Sequence, residues 1–197
     1  MYIMNTLIIY DWDDTLFPTT FVLNKNQLDQ KELLLLEEQN IKILEKSRQL
    51  GRTIIITNAS TQWIYNSSEQ YMPNLYKYIK NTDIPIISAR EYATARHIFD
   101  HEKWKDITFY NAIKTISQEP HNIPINNILS VGDAVYERNA LHKYGQFINN
   151  KQNYKTYIKT IKYIDNPTPF NMINEATSLL YNIEYHIQFK YDLDINM

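Results

Sequence analysis

Acidic and hydroxyl side chains follow three apolar runs of this sequence, where they could form a metal-binding site. The polar segments are Asp11-Trp12-Asp13-Asp14-Thr15 after Leu7–Tyr10, Thr57-Asn58 after Thr53–Ile56, and Gly132-Asp133 after Asn127–Val131. Unpaired carboxylates are unfavourable away from water, and a bound divalent cation removes that penalty. Asp11 and Asp133, brought together, would offer the oxygen ligands that Mg²⁺ prefers. The sequence therefore predicts a magnesium site at these two aspartates.

The elements that must position these side chains are indicated by hydrophobic spacing. Continuous apolar runs predict strands covered on both faces at Leu7–Tyr10, Thr53–Ile56, Ile84–Ser88 and Asn127–Val131, with weaker candidates at Gln146–Ile148 and Lys159–Tyr163. Helical spacing predicts helices at Gln27–Leu50, Ala89–Phe99, Trp104–Gln118, Glu137–Lys143 and Phe170–Leu180, and another that opens at Thr57–Ser60. Gly51 is expected to end the first helix in a left-handed conformation, and Pro18 to mark a loop. Strands that alternate with helices indicate an α/β fold with a parallel sheet.

The three polar segments are expected to meet at one edge of that sheet. In an open parallel sheet, ligands bind beyond the carboxyl ends of the strands, and each polar segment follows a predicted strand. Simpler roles remain open for the same residues. Asp11, Asp13 and Asp14 could cap a loop, and Thr57 could be an ordinary helix N-cap.

The order of these segments resembles the motifs of the haloacid dehalogenase superfamily. The start Asp11–Leu16 resembles its first motif, DxDxT, and Thr57 looks like its second. Gly132-Asp133, followed by Glu137, looks like its fourth motif. A lysine is expected in between as the third motif: Lys105, at a predicted helix start, fits, and Lys103 and Lys114 are alternatives.

The resemblance spans Leu7 to about Ala140 and has implications for the fold. The stretches Ser88-Ala89-Arg90 and Gly132–Arg138 also look like a branch whose members begin DWDDTL. The resemblance implies a Rossmann-like parallel sheet with helices on both faces, in a single domain over 1–197 with a C-terminal helix and tail at 165–197. Segments 16–52 and 58–103 leave no room for a sizeable cap domain, so we expect a minimal cap or none.

The resemblance further implies an aspartyl-phosphate mechanism. Asp11 would attack phosphorus, and Asp13 would protonate the leaving oxygen and later take a proton from water. Mg²⁺ would bind Asp11, the backbone carbonyl of Asp13, and Asp133, and would offset the repulsion between the nucleophile and the phosphoryl group. Glu137 stands where the superfamily commonly has aspartate, and would join the metal site directly or through water.

The remaining predicted roles concern the phosphoryl group. Thr57, Asn58 and backbone N–H groups at the following helix start would hold its oxygens. Lys105 would neutralise charge on both the nucleophile and the phosphoryl group. The expected activity is that of a Mg²⁺-dependent phosphatase with an open site, suited to a phosphoprotein, a nucleic-acid end or a small phosphate ester.

The sequence does not separate hydrolysis from phosphotransfer to an acceptor other than water, and two further functions stay open on the sequence alone. The first is a catalytically idle fold of the same type that serves as a binding module. The second is a polynucleotide 3′-phosphatase, because residues 138–164 hold no acid and interleave Lys and Arg with aromatic residues. The basic residues are Arg138, Lys143, Lys151, Lys155, Lys159 and Lys162, and the aromatic ones are Tyr144, Phe147, Tyr154, Tyr157 and Tyr163.

Composition excludes several classes of function. The 197 residues hold 20 Lys and Arg against 22 Asp and Glu, a net charge of −2, which excludes a globally basic nucleic-acid binder. The lack of cysteine excludes disulfide scaffolds, thiolate catalysis and Cys-based zinc sites. The histidines, at 97, 101, 121, 142 and 186, lack metal-ligand spacing. With no signal peptide or membrane segment apparent, we expect a cytoplasmic protein.

Overall fold

The fold is built on a six-stranded parallel sheet. The computed structural model describes residues 5–24, 26, 28–119, 124–151 and 155–197. The strands in these ranges are β1 (Thr6–Tyr10), β2 (Arg52–Thr57), β3 (Ile86–Ser88), β4 (Asn127–Gly132), β5 (Tyr157–Lys162) and β6 (Leu193–Asn196). Their order is β3-β2-β1-β4-β5-β6, and every neighbouring pair is parallel. The predicted α/β fold with a Rossmann-like parallel sheet is confirmed.

Helices cover both faces of the sheet, as predicted. They are α1 (Thr19–Leu23), α2 (Gln30–Leu50), α3 (Thr61–Tyr71), α4 (Pro73–Thr82), α5 (Ala89–Thr94), α6 (Trp104–Ser117), α7 (Val135–Asn149) and α8 (Pro169–Gln188). Because side chains alternate along a strand, Ile8 and Tyr10 of β1 join the core under α2, α3, α4 and α8, whereas Leu7 and Ile9 join the core under α5, α6 and α7. In the part of the chain that is described, no helix has both the length and the apolarity needed to cross a membrane.

Helix α2 begins later than its hydrophobic pattern predicts. The predicted start, Gln27, lies outside the described residues. Asp29 ends the preceding loop, because its Oδ1 accepts the N–H of Lys31 at 2.8 Å and so caps the helix at Gln30. The loop predicted after Pro18 contains an unpredicted short helix, α1.

Gly51 is needed for close packing, and its predicted left-handed conformation is wrong. Its backbone is extended, with φ 179° and ψ −178°. A Cβ at this position would lie 2.5 Å from the carbonyl oxygen of Thr6 and 2.8 Å from its Cβ. Only glycine therefore lets the chain pass from α2 into β2 beside the start of β1.

Several other predicted elements differ from the observed ones, and the hydrophobic pattern assigns no element to the tail after Tyr181. The helix predicted to open at 57–60 begins at Thr61, because the Ser60 side chain caps it. The helix predicted over 89–99 ends at Thr94. The weak strand predicted at 146–148 lies inside α7, where Tyr144 and Ile148, one turn apart, pack on the same core. The unassigned tail after Tyr181 continues α8 and then adds β6 to the sheet edge.

The two segments in which a cap could occur belong to the core layer. Helix α2 packs against α8 and α4, and α3 packs against α4. The buried Glu37 of α2 anchors the start of α4, since its Oε1 accepts the N–H groups of Asn74 at 2.5 Å and Leu75 at 2.9 Å. These contacts agree with the prediction of a minimal cap or none.

Glu175 on α8 should make the stability of the fold depend on pH. It is 6% exposed, and its Oε1 accepts the N–H of Ile164 at 2.7 Å. Burial raises its pKa to about 7, although that hydrogen bond and Lys162 act in the opposite direction. Between the ordinary pKa of 4.5 and about 7, the folded chain keeps a proton that the unfolded chain releases, so stability should fall as pH rises.

The variant Glu175→Gln carries an amide in place of the carboxyl group, and this amide does not titrate. As pH rises from about 4.5 to about 7.5, the free energy of unfolding of the variant should increase by about 1–3 kcal/mol relative to that of wild type. Urea denaturation over a pH series measures the difference. Glu184→Gln, on the same helix, is the control: losing its exposed pair with Lys46 should cost less than about 1 kcal/mol and leave the curve parallel to that of wild type over this range. A Glu175→Gln curve parallel to that of wild type would contradict the assignment.

Candidate active site

The predicted convergence of Asp11 and Asp133 occurs between the two central strands. Strand β1 lies between β2 and β4, so the strand order reverses there, which is where open α/β sheets bind ligands. Asp11 follows β1 directly, and its N–H donates to the carbonyl of Val131 at 2.9 Å. Asp133 follows β4, and its N–H donates to Thr15 Oγ1 at 3.1 Å. One carboxylate oxygen each from Asp11, Asp133 and Glu137 lies within 4.8 Å of the others.

Lys105 is the lysine that the fold brings to this cluster. Its Nζ lies 2.7 Å from Asp11 Oδ1, 2.6 Å from the carbonyl oxygen of Ile56 and 2.7 Å from Glu137 Oε1. Nζ donates hydrogen bonds to Asp11 and to Ile56 and forms an ion pair with Glu137, and the side chain is 1% exposed. Of the alternatives, Lys103 pairs with Asp100 at 3.0 Å on the surface, and Lys114 lies 5.9 Å from the ring centre of Tyr110.

Glu137 enters the cluster through a close approach of α7 to β4. A Cβ on Gly132 would lie 2.8 Å from Glu137 Cγ and 2.9 Å from its Oε2, so the glycine makes room for the carboxylate. Glu137 is 2% exposed, and its Oε2 receives no hydrogen bond from the described residues. A buried carboxylate oxygen without a donor, beside two further carboxylates, fits a divalent cation.

The cluster is short of positive charge. Burial raises the pKa of Asp11 well above its usual value, Lys105 opposes this, and Glu137, Asp13 and Asp133 raise it further. Burial, Glu137 and Asp14 raise the pKa of Asp133 to about 7. Burial alone would lower the pKa of Lys105, but Asp11 and Glu137 more than compensate and hold it above its usual value. A divalent cation would let these carboxylates ionise together.

Asp13 is held apart from this cluster by three donors. Its Oδ1 accepts hydrogen bonds from Thr19 Oγ1 at 2.5 Å and from the indole Nε1 of Trp63 at 3.0 Å. Its Oδ2 accepts from Thr57 Oγ1 at 3.2 Å. Its side chain is therefore not among the clustered carboxylates, and the predicted metal contact through its backbone carbonyl stays a prediction.

The other predicted site residues surround Asp13. Thr57 is fully buried at the end of β2, and its Oγ1 also accepts the N–H of Ala59 at 3.0 Å. The side-chain Oδ1 of Asn58 is buried and has no hydrogen-bond partner among the described residues. Asp14 adopts a left-handed backbone with φ 52° and accepts the N–H of Thr20 at 2.9 Å, so it caps α1.

Sequence reasoning missed two of the residues that contact Asp13, Thr19 and Trp63. Thr19 begins α1, a helix that the hydrophobic pattern does not predict. Trp63 lies in the first turn of α3, and only its position shortly after Thr57 could have drawn attention to it. Neither contact follows a recognisable spacing, because both depend on how α1 and α3 fold back over the end of β1.

In its described part, most cations of the basic stretch at 138–164 are paired with acids. Four of its cations pair with acids from other segments or from the following turn: Arg138 with Asp194, Lys143 with Asp106, Lys155 with Asp192 and Lys162 with Asp165. Lys159 is buried and donates to the carbonyl of Ile187 at 2.7 Å, while Lys151 lies over the Phe147 ring. Tyr154 of this stretch and His121 lie outside the described residues.

Comparison of the chain with family models, with curated proteins and with solved structures finds no match. The chemistry of the site must therefore be inferred from its own geometry. Asp11 has one oxygen fixed by Lys105, and its Oδ2 takes no hydrogen bond from the described residues. An oriented carboxylate with one free oxygen, beside a second carboxyl group held by donors, can combine nucleophilic with acid–base catalysis.

Removing the Lys105 ammonium should destabilise the fold strongly. Lys105→Met leaves Asp11 and Glu137 buried without a cation, which should lower the free energy of unfolding by about 3–5 kcal/mol. Lys143→Met is the control: Lys143 is 64% exposed, so losing its pair with Asp106 should cost less than about 1 kcal/mol. Urea denaturation in metal-free buffer at neutral pH measures both, and equal losses would contradict the assignment.

Proposed function

We propose that this chain is a Mg²⁺-dependent phosphoric monoester hydrolase that works through Asp11, as the resemblance of its motifs to the haloacid dehalogenase superfamily implies. The observation that carries the proposal is the convergence of Asp11, Asp133 and Glu137 around Lys105 at the point where the strand order reverses. A catalytically idle fold would have no need to gather four ionisable groups, three of them buried, beside one another.

Asp11 is the nucleophile in this proposal. Lys105 fixes its Oδ1, and Oδ2 is free to attack phosphorus, so that the P–O bond to the leaving group breaks and an aspartyl-phosphate forms. Water then hydrolyses this intermediate and restores the carboxylate. Covalent catalysis replaces one difficult displacement by two easier ones.

Asp13 is the general acid and base. It lies two residues after Asp11 and supplies a proton to the leaving oxygen in the first step, then takes one from water in the second. General acid–base help of this kind contributes roughly 10²–10⁴-fold to the rate.

The donor set fits Mg²⁺, which prefers several oxygen ligands. Asp11, Asp133 and the backbone carbonyl of Asp13 would hold the ion, and the unpartnered Oε2 of Glu137 would contact it directly or through water. When bound, Mg²⁺ offsets the repulsion between the anionic nucleophile and the phosphoryl oxygens.

In this proposal, groups other than Lys105 bind the phosphoryl oxygens. Lys105 is buried between Asp11, Ile56 and Glu137, which supports a role in orienting Asp11 more than a direct contact with the phosphoryl group. Asn58 and the N–H groups before α3 would donate to phosphoryl oxygens, and Thr57, whose hydroxyl donates to Asp13 in this structure, would join them when Asp13 carries the proton. Asn58 would turn its amide N–H₂ group toward the substrate.

The substrate that we propose is a phosphate monoester reached through an open site. Pairing of four cations with acids in the described part of 138–164 lowers the net positive charge there, which supports a phosphate monoester over the polynucleotide alternative. We expect the activity in the cytoplasm, whose reducing conditions suit a chain without cysteine.

Hydrolysis of para-nitrophenyl phosphate tests the proposal. Wild type should release phosphate with Mg²⁺ and stop when a chelator removes the ion, and Asp11→Asn should lose at least roughly 10³-fold in rate, because it has no anionic nucleophile. Asp192→Asn is the control: the same chemical change, at an exposed residue beside the start of β5, should leave the rate unchanged. Equal rates for wild type and Asp11→Asn would overturn the proposal.

A further inference from the structure

Asp13 is oriented by two side chains that no motif predicts, Trp63 and Thr19. Both donate to the same oxygen, Oδ1, at 3.0 Å and 2.5 Å. The other oxygen, Oδ2, faces Thr57 Oγ1 at 3.2 Å. The two oxygens of this carboxyl group therefore have different surroundings, and they need not be equivalent in the reaction.

The indole of Trp63 is a rigid donor. Its ring meets Phe17 edge-to-face with 6.0 Å between the centroids, and Phe17 in turn stacks on the buried Trp12. The backbone on either side is held as well, because the N–H of Trp63 donates to Ser60 Oγ and its carbonyl accepts from Ser67 Oγ at 2.7 Å. The ring cannot turn away from Asp13 without disrupting this packing.

A fixed indole N–H restricts where a proton can sit on Asp13. Indole nitrogen donates and never accepts, so a proton on Oδ1 would face the N–H of Trp63 and the hydroxyl of Thr19. A proton on Oδ2 faces only the hydroxyl of Thr57, which can rotate to accept it. The favoured protonated form of Asp13 therefore carries its proton on Oδ2.

From this geometry we infer that Trp63 and Thr19 are positioning residues that occupy Oδ1 of Asp13 and so assign proton transfer to Oδ2, the oxygen beside Thr57. The inference rests on the proposed function. As the P–O bond of the ester breaks, its electron pair goes to the leaving oxygen, and the proton on Oδ2 goes to that oxygen. In the second step, Oδ2 takes one proton from the attacking water as the aspartyl-phosphate bond breaks and Asp11 is restored.

Leaving-group dependence tests the inference, because only poor leaving groups need the proton. In Trp63→Phe and Thr19→Val, kcat for phenyl phosphate should fall about 10–100-fold more than kcat for para-nitrophenyl phosphate, with KM little changed. Thr19→Ser keeps the hydroxyl and should retain the wild-type ratio. Ser68→Ala removes hydrogen bonds on the same helix, to the carbonyls of Ile64 and Tyr65, but none to Trp63 or Asp13, so it should also keep that ratio.

A second readout needs no substrate. The described indole groups each have a different acceptor: Trp63 donates to Asp13, Trp12 to Ser67 and Trp104 to the carbonyl of Ile98. In a ¹⁵N–¹H spectrum, Asp13→Ala should therefore move the Trp63 indole resonance, while those of Trp12 and Trp104 stay in place. A Trp63 resonance that does not move would overturn the inference.

The kinetic outcomes separate this inference from the proposed function. If wild type hydrolyses neither ester in a way that depends on Asp11, the proposed function is wrong, and the inference fails with it. Active wild type combined with equal losses on both esters in Trp63→Phe and Thr19→Val would overturn the inference alone. A selective loss on phenyl phosphate in either donor variant, with the wild-type ratio kept in Ser68→Ala, would support it.

Discussion

The buried ammonium of Lys105 is the interaction on which the candidate site depends. It contacts Asp11, Glu137 and the last-but-one residue of β2, Ile56, and so joins α6, α7 and two central strands in one electrostatic contact. Removing one partner from such a group leaves the others as unpaired buried charges, which strongly destabilises the fold. Even with Lys105 present, the carboxylates outnumber the cation, and burial together with the neighbouring carboxylates raises the pKa of both Asp11 and Asp133.

The parallel sheet explains why these groups meet. Strands β1 and β4 are neighbours in space although more than a hundred residues separate Tyr10 from Asn127, so the residues after both strands reach the same edge. Glycine at 132 then admits Glu137, and the hydroxyl of Thr15 ties the two loops together through the N–H of Asp133. The acidic cluster thus depends on the strand order and on the absence of a side chain at Gly132. Thr57, at the end of β2, lies at the same edge of the sheet.

Strands β1 to β4 and their carboxyl edge were predictable because continuous apolar runs and the polar residues after them are local signals. Asp11 and Asp133 could be paired on that basis. The choice of Lys105 over its neighbours could not, since it depends on which side of α6 faces Ile56. The contacts of Thr19 and Trp63 with Asp13 could not be predicted either, since they also depend on how helices pack. The conformation of Gly51 was predicted wrongly because the atoms that exclude a side chain there belong to Thr6, which is distant in sequence.

A crystal of the wild-type chain grown with Mn²⁺ in place of Mg²⁺ tests the central claim most directly, because anomalous scattering locates the ion without reference to activity. The account predicts one strong anomalous peak within coordination distance of carboxylate oxygens from both Asp11 and Asp133, with Lys105 still against Asp11. No peak at saturating Mn²⁺, or a peak remote from these two aspartates, would contradict it.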